Sequence, residues 1–364
     1  MGVDRIGEAE AASSRDRRVL LAGLALGGAL LVTGFVVGGA LADVAEAGVL
    51  AAPLIVVGVL AQLGRRRPEA AHAAWTIAAL LALVTVAWLA AVARRTWPLD
   101  AQAVGVGLTL AATLAACTAS PPAAGLIRAL GLHAQDPVHR LAVALCTCLS
   151  LACLAPLIAS GGRALLLDVM QAEGVASVES AADQLLPLLW IIPGSFALAG
   201  FGSVRNARAT CRRLGLELPS ARGLGLGVGA ALALVPAALV LGTLLERGLA
   251  AVGVPVTHSD AMEQLFGLST LTAGSGLALA IAAGVGEELA IRGLLQPRLG
   301  LVGANVVFAA LHALQYCLDG VLVVFALGLA FGVLRQRTST TVSIVSHVAY
   351  DFTLIALALL GVDV

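Results

Sequence analysis

Apolar runs of about 20 residues, enough to cross a hydrocarbon core of about 30 Å as a helix, recur from one end of this chain to the other. Eleven can be read, near 19–42, 47–63, 71–93, 101–118, 141–161, 184–203, 223–245, 268–290, 301–317, 320–334 and 341–360. The runs are continuous, without the alternation that a membrane barrel requires. In lipid, helices satisfy their own backbone polar groups. The expected fold is therefore all-α, a polytopic membrane helical bundle of about 10–11 transmembrane helices. Composition agrees, with 59% hydrophobic and only 12% charged residues, against roughly 25% charged in soluble domains. The formal net charge is zero, so no basic footprint for nucleic acid is present. The lipid bilayer is the expected partner. Six cysteines lie in or beside apolar runs, without the spacings of a disulfide framework or a zinc knuckle, and read as small buried side chains.

All 22 basic residues are arginine, and their placement sets orientation by the positive-inside rule. Arg15, Arg17 and Arg18 put the N-terminus in the cytoplasm, and the run 19–42 is too long for a signal-peptide core, so a retained first span is expected. Arg65–Arg67, the cluster from Arg205 to Arg222, and Arg292, Arg298, Arg335 and Arg337 are expected on the same side, with Asp319 and Asp363 outside. Arg94-Arg95 runs against this count. The expected location is an integral membrane protein of a bacterial inner membrane. The 162–183 connection reads either as an amphipathic surface helix or as a plain loop. The basic connection is the candidate boundary: 1–203 as an N-terminal accessory bundle, 204–222 as a cytoplasmic linker, and 223–364 as the part that carries chemistry.

Ionisable groups are costly at mid-membrane, about 2.5–3.5 kcal/mol each on insertion scales, and mark functional candidates. They gather in three late spans, as Glu287-Glu288 with Arg292, as Phe308 with His312, and as His347 with Asp351. Glu288 and Arg292 are four apart, on one helical face and within pairing reach. Glu287 lies about 100° round the helix, free to face another partner. His347 and Asp351 share a face by the same spacing, and Phe308 sits one turn before His312 to wall the same space. Packed together, these faces present a carboxylate, two imidazoles and a second acid around a polar pocket. Water activation requires a base to take the proton and donors to hold an oxyanion.

The motifs EExxxR (287–292), FxxxH (308–312) and HxxxD (347–351), with Phe325…Gly328…Gly332…Arg335 between them, resemble the CPBP family in order and spacing. That family comprises the type II CAAX prenyl endopeptidases and related bacteriocin-processing and immunity proteins. The resemblance covers roughly residues 220–360; the first five or six spans have no counterpart in the minimal family core. It implies peptide-bond hydrolysis within the membrane, acting on a peptide or membrane-protein substrate. By position it implies Glu287 as general base, His312 as the residue that binds and polarises water, and His347 with Asp351 as oxyanion stabilisers. Glu288 and Arg292 would be a structural pair. The family is often classed with metalloproteases, yet a glutamate/histidine mechanism fits these residues without a cofactor. The chain lacks HExxH, so no metal ligands are assigned and a divalent ion such as zinc is left open. Asp351 stands where the family often has asparagine. Either a protonated Asp351 donates directly to the oxyanion, or an ionised Asp351 pairs with His347 and makes the imidazolium the donor. The second is expected, because the pair is neutral overall.

Two other classes compete: a catalytically silent scaffold or immunity protein of the same family, and a proton-coupled transporter. A transporter would be expected to show repeat symmetry between its halves, and none is seen. A silent scaffold would be expected to have lost one of Glu287, His312 or His347.

Overall fold

The structure, a computed structural model, describes residues 11–38, 40–49, 51–96, 136–164, 184–258 and 271–362. The expected span at 101–118 and all but the first three residues of the 162–183 connection lie outside them. The chain is helical: α1 (Ser14–Val37), α2 (Ala40–Gly48), α3 (Ala51–Leu63), α4 (Pro68–Thr96), α5 (Pro137–Ala159), α6 (Leu188–Ala199), α7 (Ala207–Leu214), α8 (Ala221–Ala251), α9 (Ala273–Glu287), a π-helical segment (Glu288–Leu295), α10 (Gln296–His312), α11 (Leu318–Arg337) and α12 (Thr340–Leu359). No strand occurs among the described residues beyond one isolated bridge, Phe201 to Arg205.

Six of these stretches are long and apolar enough to cross a membrane, or seven if the bent pair α2–α3 forms one span. Several expected spans take a different form. The two near 268–290 and 301–317 belong to one apolar stretch of 40 residues, Ala273–His312. At a rise of 1.5 Å per residue it would measure about 60 Å, twice the hydrocarbon thickness, and Gly300 (φ 74°, ψ 177°) breaks it. The chain turns between His312 and Leu318. Asp319 lies in the first turn of α11, its buried carboxylate accepting from the Thr257 backbone N–H (3.0 Å) and hydroxyl (2.9 Å).

The span expected at 184–203 is the 12-residue α6. Pro187 precedes it and Gly200, at φ 110°, ends it. Its last carbonyls would be orphaned in an apolar setting, and three side chains satisfy them. Gln62 donates to Ala197 and Leu198 (3.0 and 2.9 Å), Arg298 to Leu198 (3.0 Å) and Arg205 to Ala199 (2.7 Å). The connection 204–222 is not wholly extended: it contains α7, capped by Asn206, whose Oδ1 accepts from the Ala209 N–H. Leu214 of α7 is fully buried against Leu289, Leu294 and Ala199, a burial worth about 1.5–3 kcal/mol.

Helices α8, α11 and α12 share a core of Ala231, Val235, Ala238, Phe331 and Tyr350. Small residues let the backbones close up, as is usual between membrane helices. At Gly284 a Cβ would sit 2.8 Å from the Val348 backbone nitrogen, so only glycine permits the end of α9 to meet α12 beside His347.

Candidate active site

The chain leaves α-helical geometry where the acidic pair begins. From Glu288 to Leu295 it forms a π-helix, a rare, wide turn found mostly at functional sites. Its wider winding still lets Arg292 reach back to Glu288, with Nε 3.4 Å from Oε2. Both side chains are buried, at 1% and 0% exposure. Glu288 also accepts from Ser343 Oγ (2.5 Å) and meets His347 Nδ1 at 3.0 Å. Two donors, Ser343 Oγ and His347 Nδ1, thus hydrogen-bond to this acceptor-only carboxylate, while Arg292 Nε pairs with it by charge without a hydrogen bond. His347 therefore spends its Nδ1–H on Glu288. The Arg292 guanidinium donates to the Gly328 carbonyl (3.2 Å) and lies 4.4 Å from the centre of the Phe308 ring, a cation–π contact.

Glu287 is left at the edge of this network, with its side chain one-third exposed. One carboxylate oxygen is 3.8 Å from His312 Nε2 and the other 3.9 Å from His347 Nε2. His312 Nδ1 is 2.9 Å from the Phe308 carbonyl of its own helix. A carbonyl only accepts, so Nδ1 carries a proton, which leaves Nε2 as the ring atom that faces Glu287. His347 Nε2 faces Asp351 as well, at 3.4 Å. Aromatic rings hold both imidazoles. Phe331 stacks on His347 with centroids 4.6 Å apart, and Phe308 meets His312 edge-on at 4.8 Å. A cavity of about 270 Å³ opens in front of Glu287 and His312, walled by Ile191, Ala290, Ile291, Phe308 and Leu311.

The residues singled out from sequence are thus neighbours: Glu287, Glu288, Arg292, Phe308, His312, His347 and Asp351 lie in one contiguous group. Arg292 is not a surface arginine, so it carries no information about membrane orientation. Ser343 and Phe331 were missed. Ser343 was within reach of the same reasoning, since Ser343, His347 and Asp351 recur every four residues on one face of α12. Ile191 had no signal, because it lies far upstream in an ordinary apolar run.

His312 and His347 each approach a different oxygen of Glu287. Among the described residues no set of three His, Cys, Asp or Glu side chains is placed to hold a metal.

The structure is thus that of a membrane protein, a bundle of apolar helices that buries a carboxylate, arginine and imidazole network behind a partly exposed glutamate. Residues 269–353 match the family model described as type II CAAX prenyl endopeptidase Rce1-like, in agreement with the resemblance carried by the motifs. The match includes every charged and histidine residue of the site and spans under a quarter of the 364 residues. Searches of curated proteins and of solved structures find no match.

Proposed function

We propose that the chain is an intramembrane endopeptidase that hydrolyses a peptide bond with water activated by Glu287. The observation that carries this is the placement of one exposed carboxylate between two imidazole Nε2 atoms at the mouth of a cavity. The gap of 3.8 Å between His312 and Glu287 exceeds a direct hydrogen bond and suits a bridging water. That water donates one hydrogen bond to the His312 lone pair and the other to Glu287, which leaves an oxygen lone pair to attack the scissile carbon. As the new C–O bond forms, Glu287 takes the proton and the carbonyl π pair moves onto oxygen. His347, with its Nδ1–H on Glu288, offers an Nε2–H to that oxyanion. Collapse breaks the C–N bond as Glu287 returns the proton to the leaving nitrogen, giving a carboxylic acid and an amine; the acid's remaining proton then passes to the amine, leaving a carboxylate and an ammonium. The experiment is substrate trapping: a Glu287→Gln chain in native membranes should accumulate uncleaved partners that disappear with wild type. Identical membrane proteomes would sink the catalytic reading and favour a silent scaffold.

On this reading Asp351, 3.4 Å from His347 Nε2, orients the imidazolium and keeps it charged. Asp351→Asn should lower kcat by about tenfold, the equivalent of 1.4 kcal/mol, with unchanged thermal stability in detergent. Full activity in that variant would make the group a direct donor instead. The steps above use no metal ion. Cleavage should persist at the wild-type rate after dialysis against 1,10-phenanthroline, and a loss restored by zinc would refute it.

A further inference from the structure

Helix α6 lies outside the matched segment, yet it forms one wall of the site. Ile191 lines the cavity opposite Glu287 and His312. The fit is close: a Cβ at Gly286, next to Glu287, would sit 3.2 Å from Ile191 and 3.5 Å from Leu188.

Helix α6 is also held firmly from behind by the N-terminal helices. Trp190, beside Ile191, is buried, and its indole N–H donates to the Val44 carbonyl of α2 (2.7 Å). The ring leaves no room for a side chain at Gly48 and comes within 3.3 Å of a Cβ placed at Gly27. At the other end of α6, Gln62 of α3 and Arg298 of α10 grip its carbonyls. Adjacent helical residues point about 100° apart, so a brace on Trp190 fixes the direction of Ile191.

We infer that Ile191 is the specificity-determining residue of the site, limiting the cavity to one apolar substrate side chain beside the scissile bond, and that Trp190 is its positioning residue. This rests on the endopeptidase reading. A cavity of about 150 Å³ already holds a benzene-sized group. The space here, about 270 Å³, therefore takes one side chain with the attacking water, and the walls formed by Ile191, Ala290, Ile291, Phe308 and Leu311, away from Glu287, His312 and Gln315, disfavour charged residues. The N-terminal helices then have a definite role, because they hold one wall of a site whose chemistry lies elsewhere in the chain.

The test uses purified full-length protein in micelles and a quenched-fluorescent peptide library randomised around its centre, with cuts mapped by mass spectrometry. Wild type should prefer uncharged apolar side chains at one position next to the cut and reject charged ones. Ile191→Ala should raise the Trp-to-Leu ratio of kcat/KM at that position by about tenfold or more, the range expected for changes of a methylene or two in an apolar pocket. Ile191→Phe should restrict the position to Ala and Gly, an independent check if the alanine variant folds poorly. Trp190→Ala should broaden the same position, and Trp190→Phe should largely restore it, which a purely structural role would not do. Wild-type-like profiles in both Ile191 variants would overturn the inference while leaving the endopeptidase reading intact. No cleavage by wild type, or equal cleavage by Glu287→Gln, would overturn both.

Discussion

Glu287→Gln should lower turnover of a trapped substrate by at least about 100-fold, the usual contribution of a positioned acid–base group. The amide is isosteric and cannot take the proton from water. Glu287 makes no hydrogen bond within 3.5 Å to either histidine and is one-third exposed, so the substitution leaves no buried group unpaired. Stability in detergent should therefore stay at the wild-type level. His312→Ala should cost about as much, because it removes the acceptor that holds the water. The double variant should be little worse than either single one, since residues that act as a unit are not additive. Activity of Glu287→Gln within a few-fold of wild type, on a substrate that wild type cleaves, would end the assignment of Glu287 as base.

The late motifs were legible because the physics that joins them is local. Glu288 with Arg292, Phe308 with His312 and His347 with Asp351 are each four residues apart, and a helix of any ordinary winding places such pairs together. That three such faces would meet followed from cost, since isolated ionisable groups are expelled from lipid unless they find one another. The π-helix at Glu288–Leu295 was not legible. Its residues are ordinary helix formers, and the wide turn is imposed by the partners of Glu288 on α12 and of Arg292 on α11. The break at Gly300 was hidden for a related reason, as glycine is common in membrane helices. The wall formed by α6 was out of reach altogether. Nothing in Leu188–Ala199 distinguishes it from any other apolar run, and its place is set by Gln62, Arg205 and Arg298, whose partners are backbone carbonyls.

The buried pair behind the base gives the second large effect, on stability. Arg292 and Glu288 are almost fully enclosed, and the guanidinium has few other contacts: the Gly328 carbonyl at 3.2 Å and the Phe308 ring. Its Nε and Nη1 have no hydrogen-bond partner. Glu288→Ala would strand that cation in a low-dielectric interior, and breaking a buried pair from one side costs about 3–5 kcal/mol. Arg292→Leu should cost less, because Glu288 keeps Ser343 and His347 as donors. The order of the two singles therefore reports how the charge is shared. Glu288→Ala should be the less stable, and the Glu288→Leu/Arg292→Leu double variant should recover part of the loss, since two apolar side chains leave no ion unpaired. Reversible unfolding in mixed micelles, read by helicity against denaturing detergent, would measure all three. A double variant less stable than Glu288→Ala alone would show that the stranded cation is not what that substitution costs, and that the loss comes from the hydrogen bonds of Ser343 and His347 to Glu288.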